Sequence, residues 1–282
     1  MPTRQLGIGS LRFDVTVEGP DDGPLVFLLH GWPQTPAAWD AIVPGLVAAG
    51  RRVAVPAQRG YSPGARPLAV EQYRLDHLVS DVLGMADELG APRFDVVGHD
   101  WGGAVAWALG AKHPGRIRTL TSLSTPHPAA MLAALPRSLQ ALRSAYIPVF
   151  QLPWLPERAL LAGGGATLRL LLRRSGLDDD HVRDYVQAMA EPGALTAALS
   201  WYRAAGSSPG QVRAVGRIEV PTLLVWGSAD PALGRTAAEG TARHVDAAYR
   251  FVPIEGAGHW LPELHAADVL PPLLEHLAAP AG

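Results

Sequence analysis

The run Val96-Val97-Gly98-His99-Asp100-Trp101-Gly102-Gly103 constrains this chain more than any other segment. An apolar stretch leads into it, an apolar helical pattern follows it, and an aspartate stands at the centre of a Gly-x-x-x-Gly turn. Strand, tight turn and helix in that order form a nucleophile elbow, which presents one side chain above the end of a buried strand. Where G-x-S-x-G enzymes carry a serine, this chain carries a carboxylate. A serine alkoxide attacks carbonyl carbon. A carboxylate is a weaker nucleophile suited to displacing a leaving group from saturated carbon, and the resulting alkyl ester can be hydrolysed at its own carbonyl. The expected substrates therefore carry a strained ring oxygen or a halide rather than an ester.

The patterning around the elbow predicts its scaffold. Alternation from Leu11 to Val17 reads as a half-buried strand, and the Gly19-Pro20-Asp21-Asp22-Gly23-Pro24 cluster reads as a hairpin turn. Continuous apolar runs at Leu25 to Leu29, Val53 to Val55, Phe94 to Val97, Leu120 to Leu123 and Thr222 to Trp226 suit parallel strands buried on both faces. Helical patterns lie at Tyr73 to Leu89, Gly103 to Lys112 and Arg235 to Val245. The alternation predicts an α/β fold with a mainly parallel central sheet flanked by helices. From about Pro126 to Gly216 the strand signal disappears, leaving helical patterns broken by proline and glycine. The chain thus divides into a core at 1–125, an inserted helical cap at 126–216 and a return to the core at 217–282. The cap is placed to cover the carboxyl edge of the sheet, where ligands of such folds bind. Gly163-Gly164-Gly165 has no phosphate-loop lysine after it and reads as a flexible cap loop.

Bulk properties narrow the partners. The 282 residues can bury a sizeable core, and a net charge of -2 gives no electrostatic case for nucleic acid or anionic membranes. The absence of cysteine excludes disulfides, thiolate ligands and a cysteine nucleophile. The N-terminus has no apolar signal region, and no stretch approaches the roughly 18 apolar residues of a membrane span, so a cytoplasmic address and no membrane partner are expected. Leu168 to Arg174, basic and apolar, has the composition of a membrane contact, but a short cap helix with a solvated basic face is the preferred reading. No H-E-x-x-H or comparable cluster is present, and no metal is expected.

Three further segments complete a catalytic set with the elbow. In Leu28-Leu29-His30-Gly31-Trp32-Pro33-Gln34 a strand runs into a glycine-proline turn, whose position suits an oxyanion loop. There the backbone N–H groups of Trp32 and Trp101 would face a developing negative oxygen. Asp230 follows the buried strand ending at Gly227, and His259 follows a strand and a glycine loop. The order Asp100, Asp230, His259 is that of nucleophile, acid and histidine in α/β-hydrolases. Asp230 would hold the His259 tautomer while His259 takes a proton from water. His99 is expected to pack behind the elbow, and His127 marks the start of the cap. Trp32, Trp101, Trp154, Trp201 and Trp260, near these segments, suggest an aromatic substrate pocket.

On these motifs the chain resembles an epoxide hydrolase of the α/β-hydrolase superfamily, from His30-Gly31-Trp32-Pro33 through the elbow to Gly258-His259-Trp260. Members of that family carry two cap tyrosines that serve ring opening. Tyr146, in a Y-x-x-x-F-Q context, and Tyr202, in a W-Y-R context, resemble them. The resemblance implies hydrolysis of a small apolar epoxide by water to a vicinal diol, with no cofactor, in a monomer or homodimer. The chain is also similar to haloalkane dehalogenases, although Trp32 stands where their halide-holding Asn is expected. Fluoroacetate dehalogenases place an arginine where Trp101 stands. A non-catalytic binder of small ligands on the same fold is a further alternative. One departure is Ala57, which replaces an aspartate usual before the x-R-G-Y run and is expected to affect loop geometry more than chemistry.

Overall fold

The computed structural model describes residues 3–144 and 146–278. Its strands are β1 (Thr3–Ile8), β2 (Leu11–Glu18), β3 (Leu25–Leu29), β4 (Arg52–Pro56), β5 (Phe94–His99), β6 (Ile117–Leu123), β7 (Thr222–Gly227) and β8 (Tyr249–Ile254). They form one sheet in the order β1-β2-β4-β3-β5-β6-β7-β8. β1 and β2 are antiparallel, β2 is antiparallel to β4, and every pairing from β4 to β8 is parallel. The five apolar runs all lie in β3 to β7, and β3, β5 and β7 are buried at every position. β2 keeps the alternation of a strand covered on one face, with Phe13, Val15 and Val17 inward.

One expected hairpin is misplaced. Gly19 to Pro24 joins β2 to β3, but β4 lies between those strands, so the turn does not close a hairpin. The hairpin joins β1 to β2 instead, through Gly9-Ser10, with Ile8 opposite Leu11 and Gly9 at φ 58°. Turn residues mark where a chain reverses; which strand then becomes its neighbour is decided by the sheet. β1 had no sequence signal because it is an edge strand with most of its residues exposed.

The core helices before the cap are α1 (Val43–Ala48), α2 (Leu75–Glu88) and α3 (Trp101–Lys112). Between β6 and β7 come α4 (Pro128–Ala134), α5 (Gln140–Arg143), α6 (Ile147–Phe150), α7 (Leu155–Arg174), α8 (Asp179–Met189), α9 (Ala194–Ser207) and α10 (Pro209–Arg213). After β7 come α11 (Arg235–Gly240), α12 (Leu261–Leu264) and α13 (Ala266–Ala278). The helix expected over Arg235 to Val245 is shorter, because it tightens into a 3-10 turn at Thr241–His244. The triple glycine interrupts the helical backbone, as expected of a loop. Gly163, Gly164 and Gly165 take left-handed φ values of 58°, 67° and 86° and break α7 into two halves, a backbone route that glycine follows without steric cost.

This topology positions a site. β3 has β4 on one side and β5 on the other, so the chain leaves β3 in opposite directions and opens a crevice at the carboxyl ends of β3 and β5. The inserted helices are anchored beside it. Trp201 in α9 donates its indole N–H to the Arg59 carbonyl at 2.9 Å. His127 joins the two ends of the insertion: its Nδ1 accepts from Ala129 N at 3.2 Å, and its Nε2 meets the Gly216 carbonyl at 3.0 Å. Burial lowers the His127 pKa to about 4, and a neutral ring with its proton on Nε2 satisfies both contacts.

Candidate active site

Asp100 is the single residue between β5 and α3, at φ 51° and ψ -120°. A non-glycine residue in that region costs about 1–3 kcal/mol, which the surrounding structure must offset. The flanking glycines explain how the turn closes. A Cβ at Gly98 would lie 2.2 Å from the Gly102 carbonyl oxygen, and one at Gly102 would lie 2.0 Å from the Leu29 carbonyl oxygen. Only glycine at both positions lets α3 start so close to β3 and β5.

The carboxylate meets the loop after β3. Trp32 N–H donates to Asp100 Oδ1 at 2.8 Å. Trp101 opens α3, so its N–H has no intrahelical acceptor and stands at the positive end of the helix dipole. Gln34 shapes this loop by accepting from Gly31 N–H at 2.5 Å and donating to Glu263 at 2.7 Å. The Trp32-Pro33 peptide bond is cis. The loop containing Ala57 is held without an aspartate: Ser62 Oγ donates to the Ala57 carbonyl at 2.7 Å and accepts from Asp14 N–H at 2.8 Å.

His259 lies between two carboxylates. Its Nδ1 contacts Asp230 Oδ2 at 2.8 Å, and its Nε2 is 3.7 Å from Asp100 Oδ2, a charge contact too long for a direct hydrogen bond. Asp230 is itself fixed, because its Oδ1 accepts from Ala232 and Leu233 N–H at 2.7 and 2.9 Å. The His259 carbonyl is held by Ser124 Oγ and by His99 Nε2, both at 2.9 Å. His99 therefore sits behind the elbow and fastens the histidine loop to β5. Burial, followed by the His259 charge, lowers its pKa to about 3.

Electrostatics set the resting state. Burial alone would lower the His259 pKa, but the Asp230 and Asp100 carboxylates outweigh it and hold the imidazole well above its ordinary value. Burial alone would raise the Asp100 carboxyl, yet His259, His99 and the Trp32 N–H keep it below the ordinary carboxylate value. Asp100 is thus ionised at neutral pH, opposite a protonated His259.

The cap completes the site. Asp100, Trp101, Tyr146 and Tyr202 line one cavity of about 490 Å³, with apolar walls that include Met131, Leu135, Ile147 and Val212. The two tyrosine rings are 6.0 Å apart between centroids. Burial, then the Asp100 charge, pushes the Tyr146 phenol up; burial, Tyr146 and Asp100 push up that of Tyr202. Both hydroxyls keep their protons at neutral pH. The motifs around them now have a physical reason. Gln151 donates to the Tyr202 carbonyl at 3.0 Å, and Arg203 donates to the Phe150 and Leu152 carbonyls at 3.1 and 2.7 Å while pairing with Glu157 through two bonds of 2.7 and 3.0 Å. The F-Q and W-Y-R residues thus tie the helix after Tyr146 to the helix carrying Tyr202.

Comparison with known proteins gives the family of this fold. Residues 24–266 match the model of the α/β hydrolase fold family. The chain is 37% identical to the AB hydrolase superfamily protein YfhM of Bacillus subtilis, with 95% of this chain and 94% of that protein covered. It is 32% identical to epoxide hydrolase A of Mycobacterium tuberculosis, covering 98% and 97%. The chain belongs to the epoxide hydrolase family of the α/β-hydrolase superfamily. A solved structure of an epoxide hydrolase from hot-environment metagenomes superposes on this family member with a TM-score of 0.84, at 29% identity and 99% coverage of both chains.

Within this epoxide hydrolase relative, the structure brings together Asp100, Asp230, His259, Tyr146, Tyr202 and the Trp32 and Trp101 N–H groups. The tryptophans expected to bind substrate divide. Trp101 lines the cavity, and Trp32 packs on Phe150 and Tyr202 beside it. Trp154 does not, since it is 60% exposed on an outer groove. Trp201 is buried under the cap, bonded to Arg59, and Trp260 is buried against His259 with its N–H on Ser175 Oγ at 3.0 Å. These three are surface or packing residues; a tryptophan near a motif in sequence carries no information about which way its ring points. Sequence reading missed the cavity walls because they come from short cap helices with no periodic signal.

Proposed function

We propose that this hydrolase opens epoxides to vicinal diols through an ester on Asp100. The observation that carries the reading is the placement of two protonated phenols across one cavity from an ionised, backbone-held carboxylate. Trp32 N–H occupies Oδ1, which leaves Oδ2 to attack an epoxide carbon. The carbon–oxygen bond of the ring breaks, and Tyr146 and Tyr202 hydrogen-bond the departing oxygen and supply its proton. Oδ1 becomes the ester carbonyl oxygen, already facing its oxyanion donors.

The protonated resting His259 fits a two-step cycle. Esterification removes the negative charge of Asp100, one of the two carboxylates that raise His259, so its pKa falls when a base is needed. The proton that His259 gives up replaces the one lost by the phenols, and the neutral imidazole then takes a proton from water as the hydroxide attacks the ester carbonyl. Collapse of the tetrahedral intermediate releases the diol and restores the carboxylate. Dehalogenation is the second reading, favoured by the buried Trp32 indole N–H, which has no partner among the described residues.

Intact mass of His259→Gln, after separate exposure to epoxides and to haloalkanes, tests the proposal. An epoxide-sized addition mapping to Asp100, absent from Asp100→Ala, is expected. A haloalkane-derived addition alone would transfer the assignment to dehalogenation, and recovery of unmodified protein from both panels would remove covalent catalysis.

A further inference from the structure

The outer face of the cap carries an unusual concentration of exposed apolar side chains. Leu139, Leu142 and Trp154 are 65%, 72% and 60% exposed, and Val149, Leu152 and Leu155 are each more than 40% exposed. This face continues into the catalytic cavity. Leu132, Leu135 and Tyr146 are themselves exposed and line that cavity with Asp100, and Gly206 lines both the cavity and the outer groove that holds Trp154. An apolar patch of this kind, leading into a binding site, marks an interaction surface.

Charge identifies the partner. Over the cap, 126–216, nine arginines meet six acidic residues; five of the six lie from Asp178 to Glu191, and the stretch from Pro128 to Gly176 has six arginines and only Glu157, although the whole chain has a net charge of -2. Glu157 is neutralised by Arg203. Arg137, Arg158 and Arg213 are exposed and, among the described residues, have no carboxylate within 4.0 Å. Arg158 lies over the Trp154 ring at 5.1 Å, and Arg213 lines the catalytic cavity. A second copy of the chain docked on the same face would bring these arginines against their own duplicates. An anionic surface with an apolar interior matches both properties. The described helices include none long and apolar enough to cross a membrane, so the contact is with a surface.

We propose that this face of the cap docks on anionic phospholipid bilayers, with the leucines and Trp154 in the headgroup boundary and the arginines on the lipid phosphates. Whole-chain charge argued against a membrane because the acidic residues elsewhere cancel the basic cap. If the epoxide reading holds, the cavity mouth faces the phase in which a sparingly soluble epoxide accumulates, but the docking itself does not depend on that reading.

Sedimentation with sucrose-loaded vesicles tests it without turnover, using phosphatidylcholine alone and phosphatidylcholine mixed with phosphatidylglycerol. The wild-type chain is expected to pellet with the mixed vesicles and far less with the neutral ones. Arg137→Glu with Arg158→Glu should weaken that partition at least roughly 30-fold, from about fivefold per lost arginine. Leu139→Ser with Leu142→Ser should weaken it roughly tenfold or more, and both pairs should keep the wild-type melting temperature. Equal pelleting of all three proteins, or of none, would overturn the proposal. So would a dimer in sedimentation equilibrium that the leucine pair dissociates, which would assign the face to a second copy.

Discussion

The sheet platform and the cap hold their functional groups by different means. Asp100, Asp230 and His259 stand within one to five residues of strand ends; backbone N–H groups hold the two carboxylates, one from Trp32 on Asp100 and two on Asp230, while Ser124 and His99, both at strand ends themselves, hold the His259 carbonyl. Tyr146 stands just before α6 and Tyr202 within α9, and the two helices are linked by the side chains of Gln151 and Arg203. The platform is therefore fixed by topology, whereas the cap is fixed by a few side-chain bonds. Under the proposed mechanism, nucleophile and water-activating base need invariant geometry, and the groups that meet the substrate can change through repacking of the cap.

The sharpest way to break this division is to remove both phenols. Tyr146→Phe with Tyr202→Phe should slow single-turnover alkylation of Asp100 by an epoxide roughly 10²–10⁴-fold, with little change in melting temperature. An unchanged rate would deny the cap any part in ring opening. A smaller effect is expected from Arg203→Ala, which frees two carbonyls and leaves Glu157 unpaired. It should lower stability in urea by about 2 kcal/mol and slow alkylation more than ester hydrolysis. Arg203→Lys should recover little, since an ammonium cannot reproduce the forked contacts.

The smallest effect is on the pH dependence of the platform. His259 has a raised pKa in the folded state, so its contribution to stability is complete below its unfolded value of 6.5 and is lost as pH rises through the folded value. Asp100 has a lowered pKa, so its contribution is present above 3.8 and is lost as pH falls through the folded value. Melting temperature should therefore decline on the alkaline side more steeply in the wild type than in His259→Gln. Parallel profiles would show that the two carboxylates do not raise His259.

Much of the platform was legible because buried parallel strands are written as uninterrupted apolar runs, and Trp32, Asp100 and Asp230 each follow one of them, while His259 follows the partly exposed β8. β3, β5 and β7 fall where Leu25 to Leu29, Phe94 to Val97 and Thr222 to Trp226 put them. Strand neighbours were not legible: the Gly19 to Pro24 turn has hairpin residues but joins strands that β4 separates. In the cap, local contexts picked out Tyr146 and Tyr202, which line the cavity with Asp100, while Trp154, Trp201 and Trp260 lie outside its lining because ring direction depends on tertiary packing.

By itself the sequence determined the order of strands and helices, the carboxylate at the elbow and the chain order of its partners. These are encoded locally, by apolar runs and by glycines flanking a turn. Only the tertiary structure decided that two phenols would line one cavity with Asp100 and that His259 would lie between two carboxylates. Those facts depend on distances between segments far apart in the chain, and such distances are set by packing, which no local pattern records.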